Sequence, residues 1–295
     1  MNNSLDETKF LMKKYKIKAN KKLGQNFLVD DKALEDIANG ANIDQNDLVI
    51  EIGPGLGNLT KILLEKSKKV ICIEVDKKMI KILQDRFSLY SNFEIINNDV
   101  LKIDFNKLIN QEREKDSTIE NVKVVANLPY YITTPIIMKL IENNLNINSI
   151  TVMIQKEVAE RLIAIPGTKG TGAITYTVYY YCEAEKIREV ENTSFIPIPE
   201  VTSEVITLKM REKPPVDVKN KKIMFNIIKS AYMQKRKTLL NSLTNVGFFQ
   251  NKEQGAKVLK KLGLKEEIRP ENLSIEDFAR LANDFVTSIQ KEKKK

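Results

Sequence analysis

The sequence predicts an open, mostly parallel α/β sheet followed by a small all-helical domain. Three features carry this reading. Short apolar, β-branched runs alternate with helix-patterned stretches through the first two thirds of the chain. A glycine-rich turn, Gly53-Pro54-Gly55-Leu56-Gly57, directly follows one of the runs. After Lys213-Pro214-Pro215 the strand signals stop and only helical periodicity remains. Strands alternating with helices are the pattern of a doubly wound parallel sheet.

In chain order, strands are expected at 48–52, 70–74, 93–96, 122–127 and 149–154, with helices near 58–66, 77–87 and 133–142 between them. Glu183 to Val190 and Glu204 to Met210 form a later pair, expected as an antiparallel hairpin that brings the sheet to seven strands. Ala173 to Tyr181 has strand propensity through its Thr, Val and Tyr residues. Helices at 221–244, 252–261 and 274–290 would build the second domain, which sets the boundaries at 1–212 and 213–295.

Composition narrows the partner. The 295 residues include 48 Lys+Arg against 39 Asp+Glu, a net charge of +9 that suits a polyanion. Thr8 to Val29 holds seven lysines and no acid, and Lys221 to Gln250 holds six basic residues and no acid. Two such runs flanking an α/β core fit an electrostatic footprint for phosphates. The absence of histidine removes Ser/His and Cys/His triads and His-based metal sites. Cys72 and Cys182 lie in apolar strings without CxxC pairing, so buried thiols are expected rather than a metal site or disulfide. No apolar stretch reaches the roughly 20 residues of a membrane span, and no signal-peptide pattern opens the chain. The expectation is a cytoplasmic, monomeric protein with neither membrane nor metal.

The chemistry is concentrated where strands end. Val122 to Ala126 runs into Asn127-Leu128-Pro129-Tyr130. The lone pair of an exocyclic adenine amine is delocalised into the ring, so its nitrogen is a weak nucleophile. The Asn127 side-chain oxygen and the Leu128 carbonyl can each accept one amine hydrogen, stabilising positive charge as it develops during attack on a methyl sulfonium. Pro129 stiffens the turn, and Tyr130 offers a face for stacking worth about 1 to 3 kcal/mol per base. Upstream, Gly53 and Gly55 let the backbone approach a ligand at a strand-to-helix turn. Glu74 closes the next strand, 21 positions after Gly53, where a doubly wound sheet grips ribose hydroxyls. Asp99 follows the third strand and is placed to accept from an adenine amino group. The third glycine, Gly57, comes one residue earlier than in the dinucleotide fingerprint G-x-G-x-x-G, which disfavours a pyrophosphate cradle. S-adenosylmethionine has no phosphate, needs an acid on its ribose and carries the methyl group that the tetrapeptide calls for.

These residues stand within longer strings: Gly24-Gln25-Asn26-Phe27-Leu28, Glu51 to Gly57, Asn127 to Pro135, Gln155 to Arg161, Pro166 to Lys169, Lys235-Arg236-Lys237-Thr238-Leu239 and Pro270 to Ser274. On them the chain resembles the small-subunit rRNA adenine dimethyltransferases, the kasugamycin-resistance family, over nearly its whole length. The resemblance implies a Rossmann-like class I methyltransferase fold and transfer of methyl groups to N6 of two adjacent adenosines near the 3′ end of 16S rRNA. It places cofactor contacts on Asn26, Leu28, Gly53, Gly55, Glu74, Asp99 and Asn127, and the reaction on Asn127, Leu128, Pro129 and Tyr130. It also sets Phe195 across the target base from Tyr130, makes Ala173 to Tyr181 a helix, and assigns RNA contacts to Lys21, Lys22, Lys156, Arg161, Lys235, Arg236 and Lys237. Leu23 stands where the family usually carries Phe, and Thr202 where it often has Asp. Three other readings stay open on residues alone: a macrolide-resistance type of methylase with a large-subunit target, a non-catalytic RNA-binding assembly factor, and an NAD-dependent oxidoreductase.

Overall fold

The computed structural model describes residues 3–20, 23–142, 145–234 and 236–292. Its strands are β1 (Phe27–Leu28), β2 (Asp47–Ile52), β3 (Lys69–Glu74), β4 (Phe93–Asn97), β5 (Asn121–Asn127), β6 (Ser149–Gln155), β7 (Cys182–Val190), β8 (Phe195–Ile196) and β9 (Ser203–Met210). Seven of them form one sheet in the order β4-β3-β2-β5-β6-β9-β7, and β1 pairs with β8 in a separate two-stranded ladder. The first five strands of the large sheet are parallel, whereas β9 runs antiparallel to β6 and lies between β6 and β7. The expected late strand pair therefore sits at the sheet edge, with the second strand of the pair on the inside.

Parallel strands covered by helices on both faces read as continuous apolar runs rather than alternating ones. Val49, Ile50, Ile71, Val124 and Val125 accordingly have no exposed surface. Lys123 breaks the apolar run of β5 but stays within it because its ammonium is matched. It pairs with the buried Asp47 carboxylate at 2.6 Å and also donates to the Asn42 carbonyl. A buried charge of this kind is tolerated only when paired and hydrogen-bonded.

The parallel register, Glu51 with Cys72 and Val125, and Cys72 with Ile95, brings the strand ends level. Hydrogen bonding continues just past the strands. The Gly53 amide donates to the Ile73 carbonyl at 3.0 Å, Asn98 to Glu74 at 3.1 Å and Leu128 to Met153 at 3.1 Å. The glycine turn, Glu74, the Asn98-Asp99 loop and the Asn127 tetrapeptide are thereby fixed along one edge, where open α/β sheets bind ligands.

The chain divides into two compact units, Met1–Ala159 with Ala184–Met210, and Glu160–Glu183 with Arg211–Lys295. A single cut near residue 212 misses this excursion of Glu160–Glu183 into the second unit. Within that unit, Ala173–Tyr181 is a helix despite its β propensity. Tyr176 is wholly buried there, bonded through its hydroxyl to the Leu273 carbonyl at 2.6 Å and packed edge-on against Phe278. Tertiary burial outweighs a weak local preference. The expected helix 221–244 is two helices, Lys221–Tyr232 and Leu239–Asn245. The second has its own start signal, since the Thr238 side chain accepts from the Asn241 amide and the Leu239 amide donates to the Ile268 carbonyl.

Gly57 holds φ at +84° as the helix Asn58–Lys66 begins, and a Cβ there would stand 2.6 Å from a Phe87 ring carbon and 2.7 Å from a Leu83 methyl. Gly53 has a similarly positive φ of +67°, yet a Cβ on it would meet nothing within 4 Å. Gly57→Ala should therefore destabilise the protein by about 2 to 4 kcal/mol, from left-handed strain plus overpacking. Gly53→Ala should show only the strain, about 1 to 2 kcal/mol. Urea unfolding of the two variants checks the difference, and equal losses would contradict it.

Candidate functional site

The aligned strand ends open onto a cleft of about 370 Å³ that lies wholly in the first unit. Its walls include Asn26 and Leu28 on one side, Gly53 and Gly55 at the turn, and Glu74, Asp99 and Asn127 from three separate strands or the loops after them. The structure thus brings together every residue assigned to the cofactor from sequence. The helix after the turn starts at Gly57 without a side-chain cap, which leaves its first amides without that partner at the cleft.

Each polar group is oriented by a neighbour. The Glu74 carboxylate is 7% exposed and accepts the Val75 and Asp76 amides, both at 2.8 Å. Burial nevertheless raises its pKa above the ordinary carboxylate range, with backbone amides opposing the shift. Asp99 Oδ1 accepts the Leu101 amide at 2.9 Å. The Asn127 amide donates to the Asn26 carbonyl at 3.3 Å, which leaves Oδ1 as its acceptor. Leu128 is buried, with its N–H spent on Met153, and the Pro129 carbonyl is occupied by the Ile132 amide and the Thr133 hydroxyl. The loop carrying Asn26 is itself tied down, since the Gln25 side-chain amide donates to Asp76 Oδ2 at 2.9 Å.

Tyr130 opens a short 3₁₀ turn, lines the cleft, and bonds through its hydroxyl to Ser203 Oγ at 2.7 Å. Burial pushes its phenol above the usual range. Phe195 does not join it. That side chain is 1% exposed, lies in the core beneath the cleft with Leu28 as its β-partner, and is not among the lining residues. The expectation that Phe195 faces a base opposite Tyr130 is not supported by this packing, which buries the ring in the core.

The described basic residues assigned to RNA belong to both units. Lys156 pairs with Glu189 at 2.8 Å. Arg161 belongs to the second unit, where its side-chain stem lies against Gly172. Arg236 and Lys237 are exposed between the two helices rather than on one. Lys21, Lys22 and Lys235 lie outside the described residues.

Two groups escaped the sequence reading. Glu51, 2% exposed, lines the base of the cleft, accepts the Thr60 hydroxyl at 2.6 Å and lies 3.4 Å from Cys72 Sγ. Burial drives its pKa to about 7 against these bonds. The signal available was an acid near the end of a buried strand, one residue before the glycine turn's Ile52-Gly53 junction. Tyr131, 58% exposed, stands at the cleft mouth with its ring against Gly24. No local pattern separates it from Tyr130, its neighbour in the string Asn127 to Pro135.

Comparison with known proteins gives the same direction. A family profile described as "Ribosomal RNA adenine dimethylase" matches residues 16–286. A "Ribosomal RNA small subunit methyltransferase A" from Clostridium botulinum (strain Kyoto / Type A2) is 49% identical over 94% of this chain and 97% of its own length. One of the same name from Clostridioides difficile (strain 630) is 44% identical over 97% of each. Among solved structures, a dimethyladenosine transferase from Plasmodium falciparum superposes with a TM-score of 0.72 at 29% identity, covering 88% of this chain and 98% of that one. A 23S rRNA methyltransferase shares the fold, with a TM-score of 0.67 at 23% identity over 88% of this chain and 100% of that one.

The raised pKa of Glu51 makes stability depend on pH with a defined sign. The unfolded chain releases this proton near 4.5 and the folded protein holds it to about 7. Its contribution is thus full below 4.5 and lost as pH rises to 7, amounting to about 3 kcal/mol at 1.36 kcal/mol per unit. Glu51→Gln, which keeps an acceptor for Thr60, should remove this loss. Urea unfolding at pH 5 and pH 8 should show the wild type losing more stability than the variant, and parallel losses would place the carboxylate's titration elsewhere.

Proposed function

Because the chain belongs to the ribosomal RNA adenine dimethylase family, we propose that its cleft binds S-adenosylmethionine and receives an unpaired adenosine at the Asn127 end. The protein is an rRNA adenine methyltransferase that forms N6,N6-dimethyladenosine in small-subunit (16S) rRNA during ribosome biogenesis. The observation that carries the site assignment is the convergence, on one cleft, of a glycine turn with room above Gly53, the Glu74 carboxylate, and Asn127 with its oxygen left to accept.

The donor set fits such a cofactor. Glu74 is a carboxylate buried at the cleft wall whose pKa is raised by burial, and a pair of ribose hydroxyls would donate to it there. Asp99 would take the adenine amino group, and Asn26 and Leu28 would close the opposite wall. When bound, S-adenosylmethionine supplies an electrophilic methyl group on sulfur. The chain's part is to hold the amine. Asn127 Oδ1 and the Leu128 carbonyl accept its two hydrogens, and both are set beforehand by the bonds to Asn26 and Met153, so little reorganisation accompanies charge development. Pro129 holds the turn and Tyr130 stacks on the base. An adenosine taken from a loop avoids the few kcal/mol of unstacking that a duplex would demand. The full-length similarity to small-subunit enzymes favours that target over a large-subunit one, and an oxidoreductase has no support from it. No described helix is long and apolar enough to cross a membrane, and no metal-binding cluster occurs among the described residues.

Asn127→Ala should lower the single-turnover methyl-transfer rate about 100- to 1,000-fold, the size of one lost preorganised polar partner. The measurement uses purified protein with 16S rRNA and labelled S-adenosylmethionine, and maps the methylated positions. A wild-type rate would remove Asn127 from the chemistry, and no methyl incorporation by the wild type would favour a binding factor without activity.

Replacing Lys235, Arg236 and Lys237 together with Gln should weaken RNA binding and flatten its log-log salt dependence by about 0.7 per lost phosphate contact. Titrations across a range of salt read this directly, and an unchanged slope would leave these side chains as surface solvation.

A further inference from the structure

The hydroxyl of Tyr130 is not needed for stacking, since the face of the ring does that. It is nevertheless engaged, 2.7 Å from the Oγ of Ser203. Ser203 is wholly buried and opens β9, the antiparallel strand inserted between β6 and β7. Its position is fixed from the backbone: it pairs in register with Gln155 of β6, and the Lys156 amide donates to the neighbouring Thr202 carbonyl at 3.1 Å. The Leu128 amide is bonded to Met153 of the same β6. One strand therefore references both ends of the tetrapeptide's geometry, through the main chain at Leu128 and through Ser203 at the tip of Tyr130.

A tyrosine ring on a short 3₁₀ turn has two soft side-chain torsions. A hydrogen bond at its far end restrains both, and the partner here is a wholly buried group on a strand paired on both sides. Burial also raises the phenol's pKa, so the O–H is retained across ordinary pH. From this geometry we infer that Ser203 is a positioning residue for methyl transfer, acting through the Tyr130 hydroxyl to set the plane on which the target adenine rests. The inference rests on the stacking role proposed for Tyr130. Ser203 touches neither substrate in this arrangement and is not among the residues lining the cleft.

The test is a double-mutant cycle in the full-length protein, with Ser203→Ala, Tyr130→Phe and the double variant. Rates are read in single turnover at saturating 16S rRNA and S-adenosylmethionine, with cofactor affinity by calorimetry and thermal unfolding alongside. Each single variant should lose about 2- to 10-fold in rate, the value of one net hydrogen bond, and the double variant should lose no more than either. Cofactor affinity should stay at the wild-type value, and Ser203→Thr, which keeps the hydroxyl, should recover part of the rate. If Ser203→Ala fails to fold, Tyr130→Phe alone still decides, because a wild-type rate for it overturns the inference. Additive losses in the double variant, or a wild-type rate for Ser203→Ala, overturn it as well. Failure of the underlying reading looks different: Tyr130→Ala would then transfer methyl groups as well as the wild type, whatever Ser203 does.

Discussion

The register of the parallel sheet is the constraint on which the site depends. Glu51 lies level with Cys72 and with Val125, so the ends of β2, β3 and β5 arrive together and their next residues enter the cleft side by side. A slip of one residue in a strand turns every side chain to the other face. It would send Glu74 or Asn127 into the helix layer and break the bonds that run past the strand ends, from Gly53 to Ile73 and from Leu128 to Met153. The core secures the register by making both faces of these strands apolar, and the Lys123–Asp47 pair adds a specific polar match. A buried ion pair of this type is a poor source of net stability but a strict judge of alignment, because a misplaced partner leaves an uncompensated charge.

The sheet having fixed the positions, the polar groups fix the orientations, and they do so in pairs whose members come from different elements or loops. Asn127 leans on Asn26, Gln25 on Asp76, Glu51 on Thr60 and Tyr130 on Ser203. Methyl transfer from a sulfonium asks for placement and for acceptors at a developing positive charge, and not for a strong base. A chain with no histidine loses nothing for that chemistry. The two acids differ in kind for the same reason. Glu74 keeps backbone donors and sits at the cleft wall, whereas Glu51 sits below it with only a hydroxyl and a thiol, and burial carries its pKa further.

Much of this was legible in the chain because it is local. An apolar run ending in Gly, in Glu or in Asn-Leu-Pro-Tyr declares both a strand and what its end offers, and the strands fell within a residue or two of their expected spans. What escaped depends on residues distant in sequence. Phe195, set across the target base by the resemblance, is buried once β8 pairs with β1, a pairing to which no local pattern points. Ala173 to Tyr181 has local strand propensity, and its helix, expected from the family resemblance alone, is explained only by the distant partners of Tyr176, the Leu273 carbonyl and the Phe278 ring. The break between Tyr232 and Leu239 carries no Gly or Pro, and only a capping threonine and the Ile268 carbonyl account for it. Ser203 has no local signal at all, as its partner lies 73 positions upstream.

The N-terminal segment shows how a charged arm and a wall of the cleft become one element. The helix Ser4–Lys14 carries Asp6 and Glu7 in its first turn and leads into the lysine run, and Thr8 on it is completely buried. Its hydroxyl accepts from Asn58 Nδ2 at 2.8 Å, and the same amide group donates to the Leu28 carbonyl at 2.9 Å. Arg86 adds a second tie, bonding to the Leu56 carbonyl and pairing with Glu7 at 2.7 Å. Asn58 is the first residue after the glycine turn, so the turn, the Leu28 wall and the N-terminal helix share one buried amide. Removing that amide would leave a buried hydroxyl and a carbonyl without their donor, a penalty larger than the net value of the bonds themselves. The N-terminal helix is therefore held in fixed relation to the cleft by two neutral hydrogen bonds of Asn58, which salt does not screen, and by the Arg86–Glu7 ion pair, which it does.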